Sequence, residues 1–324
     1  MRYTRRTLIA GLATGVAAAQ SRKKKQSYTS WNPKLGIYSK YSEANLEFAR
    51  QEGFTSIQLT ANRGSLDPGM NDEQLEKVKQ VIARSGLYVS ALGATVNHID
   101  AKPEARARIN ADFVKLIELA GKLGVPNVGT ASGTVPGEPL EKQVSEIVRV
   151  YTEKYFPACE KHHVRILWEP FVGGPNVATG PVGYDALFKA FGDSPYVGLQ
   201  YDPSHIAWQM IDPVQCAKDY VGKIYDVHLK DVEILWPVLR RVGVQPLDHT
   251  RWWRFRLPGF GMVDWKGLFT VLMEAGYSGA MNIEHEDALY YPNYDGDNFT
   301  EQFKNGFRVA HQYLKQLVPP VRKA

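Results

Sequence analysis

Eight short apolar runs alternate with longer stretches of helical periodicity along this chain, and that alternation restricts its folds more than any other feature. The runs fall at 35–39, 56–60, 88–93, 127–131, 164–169, 197–202, 224–228 and 280–284. The helical stretches fall at 42–52, 72–85, 103–123, 138–162, 185–191, 213–221, 265–275 and 298–317. Asn71 stands as an N-cap before 72–85, acids fill the first turn, and Gly86 marks the stop. Strand-length runs separated by helices build parallel sheets, because each crossover returns the chain to the same edge. Eight such units are enough to close a (β/α)8 barrel, expected as one domain over 30–320. An open doubly wound sheet is the rival, and it would leave the last strands in a line.

Four of the runs end on residues that bind metals: Val-Arg-Ile-Leu-Trp-Glu169, Val-Gly-Leu-Gln-Tyr-Asp202, Ile-Tyr-Asp-Val-His228 and Ala-Met-Asn-Ile-Glu284. In consecutive parallel strands these side chains leave the sheet at its C-terminal edge, and barrel closure gathers them round one mouth. Three carboxylates and one imidazole suit a single divalent ion, Mn²⁺ first, with Zn²⁺, Co²⁺ or Mg²⁺ as alternatives.

Composition excludes several other classes. The hydrophobic fraction of 44% and charged fraction of 23% are those of an ordinary globular protein. Residues 1–25 hold seven basic side chains and no acid, so the net charge of +5 leaves about −2 for the rest. A near-neutral body lacks the basic face that nucleic-acid binding needs. The basic segment reads instead as an export signal. Thr4-Arg5-Arg6-Thr7-Leu8-Ile9 resembles the twin-arginine pattern, an apolar stretch follows over 8–19, and Ala17-Ala18-Ala19 offers a cleavage site. A periplasmic or otherwise exported protein without a membrane span after cleavage is expected. Cys159 and Cys216 fall on different helical stretches with no CxxC, so two partly buried free thiols are expected and no thiolate zinc site.

Together, Trp168-Glu169-Pro170, Asp202-Pro-Ser-His205, His228-Leu-Lys-Asp231, Gly259-x-Gly261-x-Val263-Asp264-Trp265 and Ile283-Glu284 resemble the xylose isomerase-like TIM-barrel superfamily over roughly 33–318. That group includes sugar isomerases and epimerases, inosose dehydratase and endonuclease IV-type proteins. The resemblance implies Glu169, Asp202, His228 and Glu284 as metal ligands, and Glu169 and Glu284 as an acid/base pair flanking a bound sugar. His205 matches the family histidine that approaches substrate. Asn97, His98, Trp168, Lys230 and Arg256 complete the expected substrate-binding set. Several positions depart from the pattern of the free-ketohexose 3-epimerases. Gln58 stands where many relatives carry glutamate, Pro175 where a second glutamate is found, and Ile234 where an arginine is found. Lys230, Arg254 or Arg256 is then expected to supply the cation. The histidine that endonuclease IV-type proteins place after strand four is missing, which argues against DNA repair. His285, Glu286 and Asp287 read as solvated rim charges.

The stretch from Leu229 to Val263 is long for a strand-to-helix connection and holds Trp236, Trp252 and Trp253. It is too aromatic for disorder and reads as a lid, a pocket wall or an oligomer contact. The expected activity is metal-dependent proton abstraction beside a sugar carbonyl, as in an isomerase or epimerase. A keto-sugar lyase, dehydratase or keto-glycoside-cleaving enzyme would begin with the same step. A periplasmic sugar-binding protein is the non-catalytic alternative, and a homo-oligomer is an open expectation.

Overall fold

The structure, a computed structural model, describes residues 31–61, 65–290 and 299–318. The expected export signal and Asn298, the first residue of the last expected helix, lie outside these residues. The strands are β1 (Lys34–Lys40), β2 (Ser56–Thr60), β3 (Tyr88–Gly93), β4 (Asn127–Thr130), β5 (Arg165–Trp168), β6 (Val197–Tyr201), β7 (Ile224–Leu229), β8 (Asp231–Ile234), β9 (Trp253–Arg256) and β10 (Ala280–Ile283). The helices are α1 (Glu43–Gln51), α2 (Asp72–Ser85), α3 (Pro103–Lys122), α4 (Leu140–Val150), α5 (Phe156–His162), α6 (Pro181–Phe191), α7 (Pro203–Trp208), α8 (Pro213–Tyr220), α9 (Trp236–Val242), α10 (Trp265–Glu274) and α11 (Glu301–Leu314).

Among the described residues, eight parallel strands close into a (β/α)8 barrel in the order β1-β10-β7-β6-β5-β4-β3-β2. Closure is made by the parallel pairing of β1 with β10, where Leu35 meets Met281 and Ile37 meets Ile283. Alternation along each strand sorts the side chains. Ile57, Ile166, Leu199, Val227 and Met281 are buried in the apolar core. The other phase fills the lumen with polar groups. Asn282 donates to Asp226 Oδ1 at 3.1 Å and to Ser90 Oγ at 2.9 Å, and Ser56 Oγ donates to Asn282 Oδ1 at 3.0 Å. Asp226 Oδ2 is left without a hydrogen bond in this network, and burial lifts that carboxyl to about 6, since an unpaired polar group costs most where water is excluded.

Two connections differ from the sequence expectation. The long helix over 138–162 is broken by a π-helical turn, Tyr151–Tyr155, between α4 and α5. Pro157 has no N–H for an α-helical bond to the preceding turn, and the wider turn accommodates it. The turn also sets Tyr151 and Tyr155 against His98. The long connection after β7 is a two-stranded antiparallel ribbon, with Asp231 opposite Arg256 and Ile234 opposite Trp253, and α9 between the two strands. Asp231 pins its base. Its carboxylate accepts from the backbone N–H of Val232, Gly259 and Val263 and from the Trp265 indole, at 2.8–3.0 Å. A Cβ at Gly261 would overlap this carboxylate, so the Gly259-x-Gly261 motif is explained by packing. Cys159 and Cys216 are free and buried. No helix among the described residues is long and apolar enough to cross a membrane.

Candidate metal centre

Glu169, Asp202 and Glu284 each stand one residue past a barrel strand, and His228 lies near the end of β7. Strand phase explains why they converge. Trp168 turns outward among the rings of Tyr151, Phe188 and Phe191, so the next residue, Glu169, turns into the mouth. One donor atom from each of the four residues lies within 4.8 Å of the others. His228 Nδ1 is 2.8 Å from Glu284 Oε2 and 3.3 Å from Glu169 Oε1. Asp202 divides its carboxylate between two tasks. Oδ1 caps α7, accepting from Ser204 N at 2.8 Å and from Ser204 Oγ at 2.6 Å. Oδ2 is buried and receives no hydrogen bond, although Lys230 Nζ lies 3.1 Å away.

The donor set fits a divalent cation. A buried carboxylate oxygen left without a directed donor, beside two further carboxylates and a fixed imidazole, is costly for a protein with nothing to bind there. The imidazole is fixed from behind. His228 Nε2 meets Gln58 Oε1 at 2.9 Å and Gln200 Nε2 at 2.7 Å, and Gln58 donates to Gln200 Oε1 at 3.2 Å. Strands β2 and β6 are not barrel neighbours, so this clamp closes across the lumen. A Cβ at Gly129 would overlap the Gln200 amide, and glycine there makes the room. A partner on the far ring nitrogen orients a metal-binding histidine and sets its tautomer. Gln58, at the position where many relatives carry glutamate, therefore faces the histidine.

Lys230 lies at the centre of the acids, 2.7 Å from Glu284 Oε2 and 3.0 Å from Glu286 Oε2, and is 1% exposed. His205 Nε2 is 3.3 Å from Lys230 Nζ, 3.7 Å from Asp202 Oδ2 and 3.8 Å from Glu169 Oε1. The charges perturb one another strongly. Burial lifts the Asp202 carboxyl to about 7 against the pull of Lys230. Burial also works against charge on Glu284, but Lys230 and His228 outweigh it and hold that carboxyl well below its usual range. Burial likewise opposes charge on His228, and Glu284 and Glu169 together outweigh it, raising the imidazole well above its ordinary value. His205 moves the other way, driven down first by burial and then by Lys230. Two carboxyls and two imidazoles pushed in opposite directions within one mouth are the electrostatic pattern of a functional site.

Other expected substrate contacts are engaged elsewhere. His98 is fully buried, with Tyr155 Oη 2.9 Å from Nδ1 and Thr130 Oγ1 3.1 Å from Nε2. Asn97 knits two loops, donating to Thr134 O and accepting from Thr134 N at 2.9 and 3.0 Å. Trp168 donates its indole N–H to Tyr151 Oη at 3.1 Å in the helical layer. Arg256 is bound to Asp287 at 2.9 Å and to Glu233, which ties the ribbon to the segment after β10. The three residues after Glu284 are not solvated rim charges. His285 stacks on Phe303 at 4.3 Å, Glu286 holds Lys230, and Asp287 is fully buried. Gln200 was not anticipated around the site, Gln58 was noted only as a departure from the glutamate of many relatives, and Glu286 was expected to be a solvated rim charge. Their inward strand phase, shared with Ser56, His228 and Glu284, was the signal available.

Comparison with known proteins agrees with this geometry. The family model described as "Xylose isomerase-like TIM barrel" matches residues 46–313. The uncharacterised protein YfiH of Bacillus subtilis is 28% identical over 85% of this chain and 95% of its own. An inosose dehydratase of Clostridium tetani is 32% identical, covering 78% of this chain and 85% of its own. A crystal structure of D-psicose 3-epimerase in the presence of D-fructose superposes with a TM-score of 0.68 at 16% identity, over 89% of this chain and all of that one. With the closed parallel barrel and a family match across most of its length, the chain belongs to the xylose isomerase-like TIM barrel family.

Proposed function

We propose that this chain is a divalent-metal-dependent enzyme that isomerises or epimerises a sugar or sugar derivative by removing a proton beside a carbonyl. One contrast within the site carries the reading. The Asp202 and His228 side chains are fully buried, whereas those of Glu169 and Glu284 remain 13% and 14% exposed at the mouth. The buried pair can only hold; the glutamates can also reach a bound molecule. Glu169, Asp202, His228 and Glu284 would hold the ion, with Mn²⁺ favoured by the oxygen-rich set and Zn²⁺, Co²⁺ or Mg²⁺ as alternatives. When bound, such an ion supplies Lewis-acid stabilisation for the negative charge of an enolate.

The chain's own residues supply the rest. One of the two glutamates takes the proton from the carbon, and the other, or the same one, returns it. His205 presents a donor to a substrate oxygen from the same wall, while the buried Lys230 ammonium is taken up by Asp202, Glu284 and Glu286 and balances their charge. Glu286, with its carboxyl raised first by burial, accepts from Lys230 at 3.0 Å. A dehydratase would use the same abstraction and then lose water, and the inosose dehydratase relative supports that second reading. The Arg5-Arg6 pattern supports an exported enzyme, and so an unphosphorylated sugar.

The test is solvent exchange. The Mn²⁺-loaded protein is incubated in deuterated buffer with ketoses and inososes and followed by NMR. The expected result is deuterium at the carbon beside the carbonyl together with an isomeric product; loss of water would select the dehydratase. Glu284→Gln should keep much of the metal and lose exchange by about 10²–10⁴-fold, the range of general acid–base catalysis. Undiminished exchange in that variant would remove the acid/base role. A silent panel on metal-replete protein would overturn the proposed reaction.

A further inference from the structure

Of the three candidate carboxylate ligands, Glu169 is the most loosely held through its side chain. Its Oε1 lies 3.3 Å from His228 Nδ1 and 3.8 Å from His205 Nε2. Glu284 Oε2, by contrast, is 2.7 Å from Lys230 Nζ and 2.8 Å from His228 Nδ1. Asp202 Oδ1 accepts twice from Ser204. The aim of the Glu169 carboxylate therefore depends on its backbone, which stands one residue past β5, where the ladder runs out. Glu169 N–H still donates to Thr130 O on β4 at 3.1 Å. Its carbonyl lies beyond the last pair of β5 with β6, Trp168 with Leu199, and accepts instead from Asn176 Nδ2 at 2.7 Å.

Asn176 is 8% exposed, and both ends of its amide are engaged. Nδ2 also donates to Phe171 O at 3.1 Å, while Oδ1 accepts from Ser132 N at 3.0 Å and from Ser132 Oγ at 2.9 Å. With carbonyls at one end and donors at the other, the amide has a single orientation. Its grip on Glu169 is not needed merely to fasten the loop. Ser132 Oγ already accepts from Val177 N at 2.8 Å and from Ala178 N at 3.0 Å, and Gly133 N donates to Pro175 O at 2.8 Å. What the amide adds is a partner for the strand-end carbonyl of a residue that must reach the ion. Such a residue works only when held to within about 0.5 Å of its productive place. Building on the metal-dependent sugar chemistry above, we propose that Asn176 is a positioning residue for Glu169. Its amide extends the β5 ladder by one bond and fixes the peptide from which the carboxylate reaches both ion and substrate.

The experiment sets two cuts in this loop against each other. Asn176→Ala removes the bond to Glu169. Ser132→Ala loosens the same loop from its other side and leaves that bond in place. Mn²⁺ is titrated calorimetrically into the metal-free full chain, and thermal melting is followed on the same samples. Asn176→Ala should weaken Mn²⁺ binding by about 10–100-fold, the usual effect of removing an outer partner of a metal ligand. Ser132→Ala should melt earlier than the wild type yet keep most of its Mn²⁺ affinity. Unchanged affinity in Asn176→Ala overturns the proposal. So does an equal loss in both variants, which would make the amide one more fastener of the loop. Should Asn176→Ala not fold, Asn176→Ser, which retains a polar group for Ser132, is judged in the same way. Deuterium exchange on the panel of ketoses and inososes separates this role from the reaction it serves. Exchange in the wild type, with Mn²⁺ affinity unmoved in Asn176→Ala, sinks only the positioning role. The affinity loss in a protein whose wild type is silent on the panel sinks only the proton abstraction.

Discussion

The two halves of the barrel mouth use the same kinds of residue to opposite ends. On the β3–β4 side, His98, Thr130, Tyr155 and Asn110 form a closed set, with Tyr155 Oη donating to Asn110 Oδ1 at 2.7 Å. On the β5–β7 and β10 side, Asp202 Oδ2 and His205 Nδ1 are buried without a hydrogen bond. There, one ammonium is shared among Asp202, Glu284 and Glu286. The first arrangement is polar cement and the second is poised to bind. Residue type does not separate them, since a histidine sits at the heart of each. What separates them is whether partners inside the protein complete each group.

Three experiments would break or sharpen that contrast. The largest effect is expected at Asp202. Asp202→Asn keeps an oxygen to cap α7 but loses the charge, and metal affinity by titration should fall by more than the ~10–100-fold typical of an outer partner. Unchanged affinity would remove Asp202 from the ligand set. Next comes Gln200→Met, which leaves the four donors intact but breaks one arm of the clamp. Affinity should fall by about 10–100-fold while thermal stability changes little, and a change in stability alone would make the glutamine mere packing.

The smallest effect is on the cemented side. Burial depresses the His98 imidazole from 6.5 to about 3, so the folded state keeps it neutral while the unfolded chain takes up a proton. Its contribution to stability is complete above pH 6.5 and is lost as pH falls from there toward 3, at up to ~1.4 kcal/mol per pH unit. His98→Gln should cost about 1–3 kcal/mol at pH 7, through partners left unpaired. Below pH 6.5 it should flatten the dependence by about one proton. Urea unfolding at pH 7 and pH 5 measures both, and parallel slopes for wild type and variant would show that His98 is not held neutral.

Much of this was legible in the sequence, because strand phase and helix caps are local properties. Asn71 and Gly86 bound α2 as expected, and the four runs ending at Glu169, Asp202, His228 and Glu284 did bring those residues to one mouth. Local pattern also shows why Trp168 and Glu169 must face opposite ways, although both had been expected at the site. What the sequence could not show was which polar residues would be claimed by distant partners. Arg256 is taken by Asp287 and His98 by Tyr155, while Gln58 crosses the lumen to a histidine 170 positions later. The same holds for Asn176 and Ser132, which belong to two loops that meet only in the folded chain. Periodicity decides the barrel and the residues at its rim, since each strand reads only its own neighbours. Tertiary packing decides which of those residues stay unsatisfied, since satisfaction depends on atoms brought together across the whole barrel.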